Sequence, residues 1–367
     1  MQLLLRDDPV LTIDENGVGA IIDHERLPWS LRKERITFPE FVEWAINRTL
    51  SIGRSYAKAI LNALRLSQNN RFAVCKACRG LSLSDSYWIK QEGDNKSWAE
   101  VNLFANPLAL FLTELSLSGN NINFDDGEDA YWLSKPEGQL KIHTPELTTL
   151  GANAKGWVRA QDGLFLHKVG RYEIAADQIL TALAIPHLTY AISTDEEIKP
   201  YLSAERQQWL TGVGEVVVKS RIFTSEAKAM VTFEEFRIFC ENFGLNPFTE
   251  ASAIDREAYL AMQVVDYIIS NDDRHEQNWG FFMDNDTGRM VGYVPLFDHD
   301  HAFSTRRAIL SQTTDRPIAL FDAAVVAQKE LGCELGGILA MDCPPFLTGE
   351  KWQAVRERTE RLLPYST

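Results

Sequence analysis

Ala258–Phe303 reads AYLAMQVVDYIISNDDRHEQNWGFFMDNDTGRMVGYVPLFDHDHAF. Leu260, Val264, Val265, Ile268 and Ile269 recur at the spacing that puts them on one face of a helix leading into a core. The helix ends in a run of polar residues, Asn271-Asp272-Asp273-Arg274-His275-Glu276-Gln277-Asn278. An apolar helix that delivers so many polar side chains at its end presents them. Trp279–Met283 then runs outward, Asn285-Asp286-Thr287-Gly288 supplies a turn, and Met290–Phe297 runs back, the pattern of a hairpin. Pairing about a turn near Thr287 returns Asp298 toward Asn278. Adjacent strands lie roughly 5 Å apart, so the two side chains can reach one ion. A carboxylate with an amide oxygen is hard-oxygen ligation suited to Mg²⁺, which also takes phosphate oxygens and water.

Asp273 stands five residues before Asn278. That is the Asp-to-Asn interval of the protein-kinase catalytic loop, where the Asp takes up the acceptor hydroxyl and the Asn holds metal. Two other readings of the stretch stay open. Asn271, Asp272 and Asp273 can serve only to end a helix, with the hairpin as surface decoration. Alternatively His275, His299, His301, Asp298 and Asp300 form a metal-hydrolase cluster. In a strand or tight turn alternate residues diverge, so at most two of Asp298–His301 would share a metal.

Upstream the pattern is strand-like. Tyr131–Ser134 and Gln139–Thr144 flank a Pro136-Glu137-Gly138 turn, and Gly156–Arg159 with Leu164–Lys168 make a second hairpin. Glu173–Ala184 reads as a helix and Glu215–Lys219 as a strand. Helices dominate afterwards: Phe233–Phe243, Glu257–Ser270, Pro317–Leu331 and Glu350–Leu363. The expectation is an α+β fold with a small strand-rich lobe (about 126–224) and a helical lobe (about 225–367). Thr148–Lys155, TTLGANAK, is a short loop whose Gly151 lets backbone N–H groups approach phosphates closely. It matches neither G-x-x-x-x-G-K-[ST] nor G-x-G-x-x-G. Lys168 ends an apolar strand where its ammonium can meet phosphates, and Glu173 on the next helix is a candidate partner for it.

Residues 1–125 form a further N-terminal region, partly helical, with two helices in Phe38–Leu66 broken near Ser51-Ile52-Gly53. Residues 79–120 read as irregular, and Gly119–Glu128 as an exposed boundary loop. The chain of 367 residues is 45% hydrophobic with net charge −14, which disfavours direct contact with nucleic-acid phosphates. Five scattered cysteines, Cys75 and Cys78 among them in a C-x-x-C, lack a second metal-binding pair, so reduced thiols are expected. No apolar run spans a membrane, and the start turns acidic before a signal-peptide core could form. A cytoplasmic protein is expected.

The polar run with Pro295-Leu296-Phe297-Asp298 resembles the HipA-like serine/threonine kinases, whose signature is N-x-D-x-H-x-x-N followed by a second Asp at the end of a hairpin. Leu147–Lys155 and Leu164–Lys168 resemble that family's phosphate loop and ATP-binding lysine. The resemblance covers roughly Leu140–Ser304 and implies a bilobal kinase-like fold, with ATP and Mg²⁺ as cofactors. Asp273 would be the catalytic base, and Asn278 and Asp298 the metal ligands. His275 would contact the nucleotide side, and Lys168 the phosphates. Lys155 would belong to the loop covering those phosphates, and Thr148 and Thr149 stand where some members phosphorylate themselves. The family acts on protein hydroxyls, often as a toxin with an antitoxin partner. A departure is Asp298-His299-Asp300-His301, which makes Asp300 a candidate second ligand. Two alternatives remain open: a small-molecule or lipid-headgroup kinase of related fold, and a catalytically silent binding module.

Overall fold

The computed structural model describes residues 1–119, 133–134, 139–306 and 308–366. The Pro136-Glu137-Gly138 turn, the boundary loop beyond Gly119 and the division between residues 125 and 126 lie outside these. By its contacts the chain forms two units. The first holds Met1–Val169, Ser193–Met230 and Met283–Arg289, and the second holds Gly170–Ile192, Val231–Phe282 and Met290–Thr367.

The first unit begins with an antiparallel sheet ordered Ala20–Ile21, Asp8–Thr12, Gln2–Leu5, Tyr87–Lys90. Leu3, Leu4 and Leu5 are buried in succession, as are Tyr87, Trp88 and Ile89, so these central strands are covered on both faces, and Leu4 and Trp88 share a core with Trp98, Leu103 and Leu164. Thus the strand Tyr87–Lys90 lies in a stretch that reads as irregular from sequence. The helix Leu110–Ser118 lies there too. Its residues LFLTELSLS bury Leu112, Thr113, Leu115, Ser116 and Leu117 on several sides, so it lacks the one-sided periodicity that marks a surface helix. The helices Phe38–Asn47 and Ala57–Ala63 are separated around Ser51-Ile52-Gly53 as expected. Thr37 and Glu40 form a capping box at the start of the first, satisfying backbone N–H groups that the helix leaves open.

The second hairpin of this unit pairs Lys155–Ala160 with Gly163–Val169, which pairs in turn with Val217–Arg221, all antiparallel. Lys155 stands directly opposite Lys168, and such cross-strand partners project from the same face. Both lysines are buried.

The second unit is helical: Tyr172–Ala182, Phe233–Asn242, Pro247–Ile254, Arg256–Ile268, Leu320–Leu331 and Gly349–Leu362. Asp255 caps Arg256–Ile268 by accepting from the Ala258 N–H at 3.0 Å. Every residue from Tyr259 to Ile268 is buried, and this helix packs against Leu320–Leu331. Trp279 stacks on Phe233 with ring centroids 4.0 Å apart. At Gly280 a Cβ would lie 2.1 Å from the Val231 carbonyl oxygen, so only glycine permits this backbone approach. Gly280–Asp284 and Met290–Tyr293 are neighbours in one sheet, which is the hairpin read from sequence. Antiparallel sheets with separate helices make the α+β class expected. No helix among the described residues is long and apolar enough to cross a membrane.

Candidate active site

The helix Arg256–Ile268 ends where Ser270 turns into the left-handed region at φ 49°. Asn271 folds back, donating its N–H to the Asp266 carbonyl at 2.8 Å and its amide to the Asp266 carboxylate at 3.1 Å. The loop that follows closes on itself. The Asn278 N–H donates to the His275 carbonyl at 2.8 Å, and the Asn278 side-chain amide donates to the Asp273 carbonyl at 2.9 Å. With its NH₂ so engaged, Asn278 has its amide oxygen left to offer a cation.

At the centre lies Arg274, a residue of the polar run that sequence reasoning treats as displayed and that is in fact buried. Its guanidinium meets the Asp266 carboxylate at 2.9 Å, with both side chains about 2% exposed. One further nitrogen, Nη1, donates to the carbonyls of Asn278 and Phe297, each at 2.9 Å. A single buried cation therefore ties the end of the loop to the residue before Asp298. Asp266 carried a readable signal: a lone carboxylate among Val264, Val265, Tyr267 and Ile268 needs a cation when buried.

Asp273 is half-buried. Its N–H donates to the Asn271 side chain at 3.2 Å, and its carboxylate makes no hydrogen bond or ion pair among the described residues. That is what a proton acceptor for an incoming hydroxyl requires. Its neighbour Asp272 is instead engaged, accepting from the Ser304 hydroxyl at 2.7 Å and from Arg306 at 3.2 Å. His275 is exposed, and its ring Nδ1 accepts from the Gln277 N–H at 3.2 Å.

The turn after the hairpin holds Asp298 in the left-handed region at φ 59°, which is strained for a residue with a side chain. Asp298, Asp300 and Glu173 each offer a carboxylate oxygen, and these oxygens lie within 4.8 Å of one another. Asp298 and Asp300, with the Asn278 amide oxygen, offer an all-oxygen donor set of the kind Mg²⁺ takes. The histidines between do not join it. His299 is buried with Nδ1 3.5 Å from Glu173, burial pushes its pKa down, and its buried Nε2 has no hydrogen-bond partner among the described residues. His301 is exposed, 3.9 Å from Asp272. The alternation expected of the run is therefore present, and the histidine-rich hydrolase cluster does not assemble among these residues.

Glu173 sits at the start of Tyr172–Ala182, where it accepts the His299 N–H with both carboxylate oxygens at 3.1 Å. Lys168 and the remaining nucleotide-side candidates, Thr148, Thr149, Gly151 and Lys155, belong to the first unit. There Gly151 adopts φ 94°, and a Cβ on it would fall 2.3 Å from the Lys155 Nζ. Thr148 is buried, its hydroxyl donating to the Leu81 carbonyl at 2.6 Å. The Thr149 hydroxyl donates to the Pro145 carbonyl at 2.8 Å and accepts from the Trp157 indole at 3.0 Å.

The loop is built around a residue that sequence reasoning missed altogether. Arg54, fully buried, donates to the carbonyls of Glu146, Thr149 and Lys155 at 2.8, 3.1 and 2.6 Å. It also pairs with the Glu146 carboxylate at 2.9 Å. The Leu50 N–H donates to the Leu147 carbonyl and the Ser55 N–H to the Ala152 carbonyl, each at 2.8 Å.

No protein-family model and no curated protein matches the sequence. Among solved structures, HipA of Shewanella oneidensis MR-1, in a toxin–antitoxin complex with HipB and its operator DNA, aligns with a TM-score of 0.56 at 13% identity. The alignment covers 100% of this chain and 96% of that one. The Helicobacter pylori proinflammatory kinase CtkA aligns with a TM-score of 0.40 at 14% identity, over 57% of this chain and 90% of that one. The chain thus has a HipA-like, protein-kinase-like fold. The structural likeness extends well beyond Leu140–Ser304 and includes the N-terminal region.

Proposed function

We propose that the chain is an ATP- and Mg²⁺-dependent phosphotransferase acting on serine or threonine hydroxyls of a protein. The observation that carries this reading is that one buried guanidinium, Arg274, bonds the carbonyls of both Asn278 and Phe297, joining the Asp273–Asn278 loop to the turn that bears Asp298 and Asp300, while the Asp273 carboxylate makes no hydrogen bond or ion pair among the described residues. In the reaction the acceptor hydroxyl oxygen bonds to the γ-phosphorus while its proton passes to Asp273. The bond from that phosphorus to the bridging oxygen breaks, and ADP leaves with the electron pair. Asn278, Asp298 and Asp300 would hold the metal, which when bound neutralises the phosphate oxygens. Lys168 and Lys155, opposed in register and buried, suit the nucleotide phosphates, with the Gly151 loop supplying backbone N–H groups.

An antitoxin-like protein partner fits the HipA-like fold, since the HipA structure is a complex with HipB and DNA. With a net charge of −14, any contact with DNA would come through that partner. A cytoplasmic location goes with this reading. Self-phosphorylation at Thr148 or Thr149 would block the phosphate site by charge repulsion. Because both hydroxyls bond to backbone carbonyls, the loop would have to leave its seat first.

The test is incubation of the full chain with γ-labelled ATP and Mg²⁺, mapped by mass spectrometry, beside Asp273→Ala. Label on a serine or threonine, lost in the variant, supports a protein kinase. Mg-ATP binding without label on any protein points to a small-molecule acceptor, and no binding of ATP defeats the reading.

A further inference from the structure

We propose that Glu173 is a positioning residue that holds the Asp298-His299-Asp300 turn in its metal-presenting shape, acting through the backbone of His299 and not as a ligand itself. The inference rests on the Mg-ATP reading of the site and assigns Glu173 a role within it.

Glu173 is completely buried. Its two oxygens lie at equal distances, 3.1 Å, from one donor, the His299 N–H. The carboxylate is therefore centred on a backbone group midway between the two aspartates. The His299 ring lies over the same carboxylate, with Nδ1 3.5 Å from Oε2.

The rest of this helix end grips the same turn. Tyr172 packs edge-on against Phe303 with centroids 5.5 Å apart. At Gly170 a Cβ would come within 2.2 Å of the Asp300 Oδ1, so the missing side chain is the space that Asp300 occupies. Further along, Asp177 accepts the Tyr190 N–H at 3.0 Å, and the Tyr190 hydroxyl lies 3.5 Å from the Asp298 nitrogen. The turn needs such support, because Asp298 sits at φ 59°. A non-glycine residue keeps that conformation only where its surroundings over-determine it. Groups that orient a metal's ligands commonly change its affinity tenfold to a hundredfold when altered.

Two substitutions separate a clamp from a ligand. Glu173→Gln keeps the length and one oxygen for the His299 N–H but loses the charge. Glu173→Asp keeps the charge but withdraws the oxygen by one methylene. Mn²⁺ affinity of the full chain, with ADP present, is read from the free-ion electron paramagnetic resonance signal. ADP affinity in EDTA and the unfolding temperature are measured beside it. The clamp predicts a loss of roughly tenfold or more for Glu173→Asp and no more than about threefold for Glu173→Gln, with ADP affinity in EDTA unmoved in both. Glu173→Gln losing as much as Glu173→Asp would overturn the proposal in favour of a charge or ligand role. No loss in either variant would overturn it as well. Wild-type protein that binds no Mn²⁺ with ADP would defeat the underlying Mg-ATP reading, a distinguishable result.

Discussion

Two loops of this chain are wrapped around buried arginines, and they differ in where the arginine comes from. The Asp273–Asn278 loop uses Arg274, one of its own residues, whose partners Asp266 and Asn278 lie eight and four positions away. The Gly151 loop uses Arg54, whose partners Glu146, Thr149 and Lys155 lie 92, 95 and 101 positions away. In both cases one guanidinium satisfies a buried carboxylate and several carbonyls at once, as its planar fork of donors permits. The first loop is therefore largely a local structure. The second exists in its observed form only because the N-terminal region supplies its core, which gives residues 1–125 a structural purpose that their own sequence does not announce.

Asp273→Ala should separate display from scaffolding within the first loop. Its carboxylate holds no partner among the described residues, so turnover should fall by about 10²–10⁴-fold, while the unfolding temperature and ATP binding stay close to wild type. A large loss of stability in this variant would mean that Asp273 belongs to the scaffold.

Replacing the arginines tests the comparison directly. Arg274→Met or Arg54→Met leaves a buried carboxylate without its cation, which should cost about 3–5 kcal/mol in denaturant unfolding. The functional losses should diverge. Arg54→Met should weaken ADP binding in EDTA, and Arg274→Met should weaken Mn²⁺ binding. Equal losses of both ligands in both variants would erase the distinction between a local loop and a borrowed one.

Acid should act on the first unit through His167, the neighbour of Lys168. Burial pushes its pKa down from 6.5 to about 4, with Glu197 opposing and Lys219 reinforcing. The unfolded chain then takes up the proton first. The stability this neutral histidine preserves is complete above pH 6.5 and is lost as pH falls toward about 4. The shift corresponds to roughly 3 kcal/mol, and His167→Gln should flatten that part of the stability–pH curve.

The smallest effect is expected at Gly151. Its φ of 94° and the Lys155 Nζ beside it imply that Gly151→Ala costs about 1–2 kcal/mol. Calorimetric unfolding measures that cost, and a modest loss of ADP affinity should accompany it.

The polar run, the hairpin and the helices around them were readable because each is a short-range pattern. Apolar periodicity sets Arg256–Ile268, turn residues set the hairpin, and the order Asp273, Asn278, Asp298 survives as spacing. Leu110–Ser118 was not readable, because burial on several sides removes the alternation that betrays a helix. Arg274 was misread as displayed, although a lone Asp266 on an apolar helix gave the clue. The hold of Glu173 on the His299 N–H was not readable, because the two residues stand 126 positions apart. The sequence by itself determined the chemistry on offer: which carboxylates, amides and lysines exist, and in what order. Only the tertiary structure decided which of them are buried supports and which stay free. That choice depends on desolvation and on hydrogen-bond partners brought from distant segments, and neither is written in local spacing.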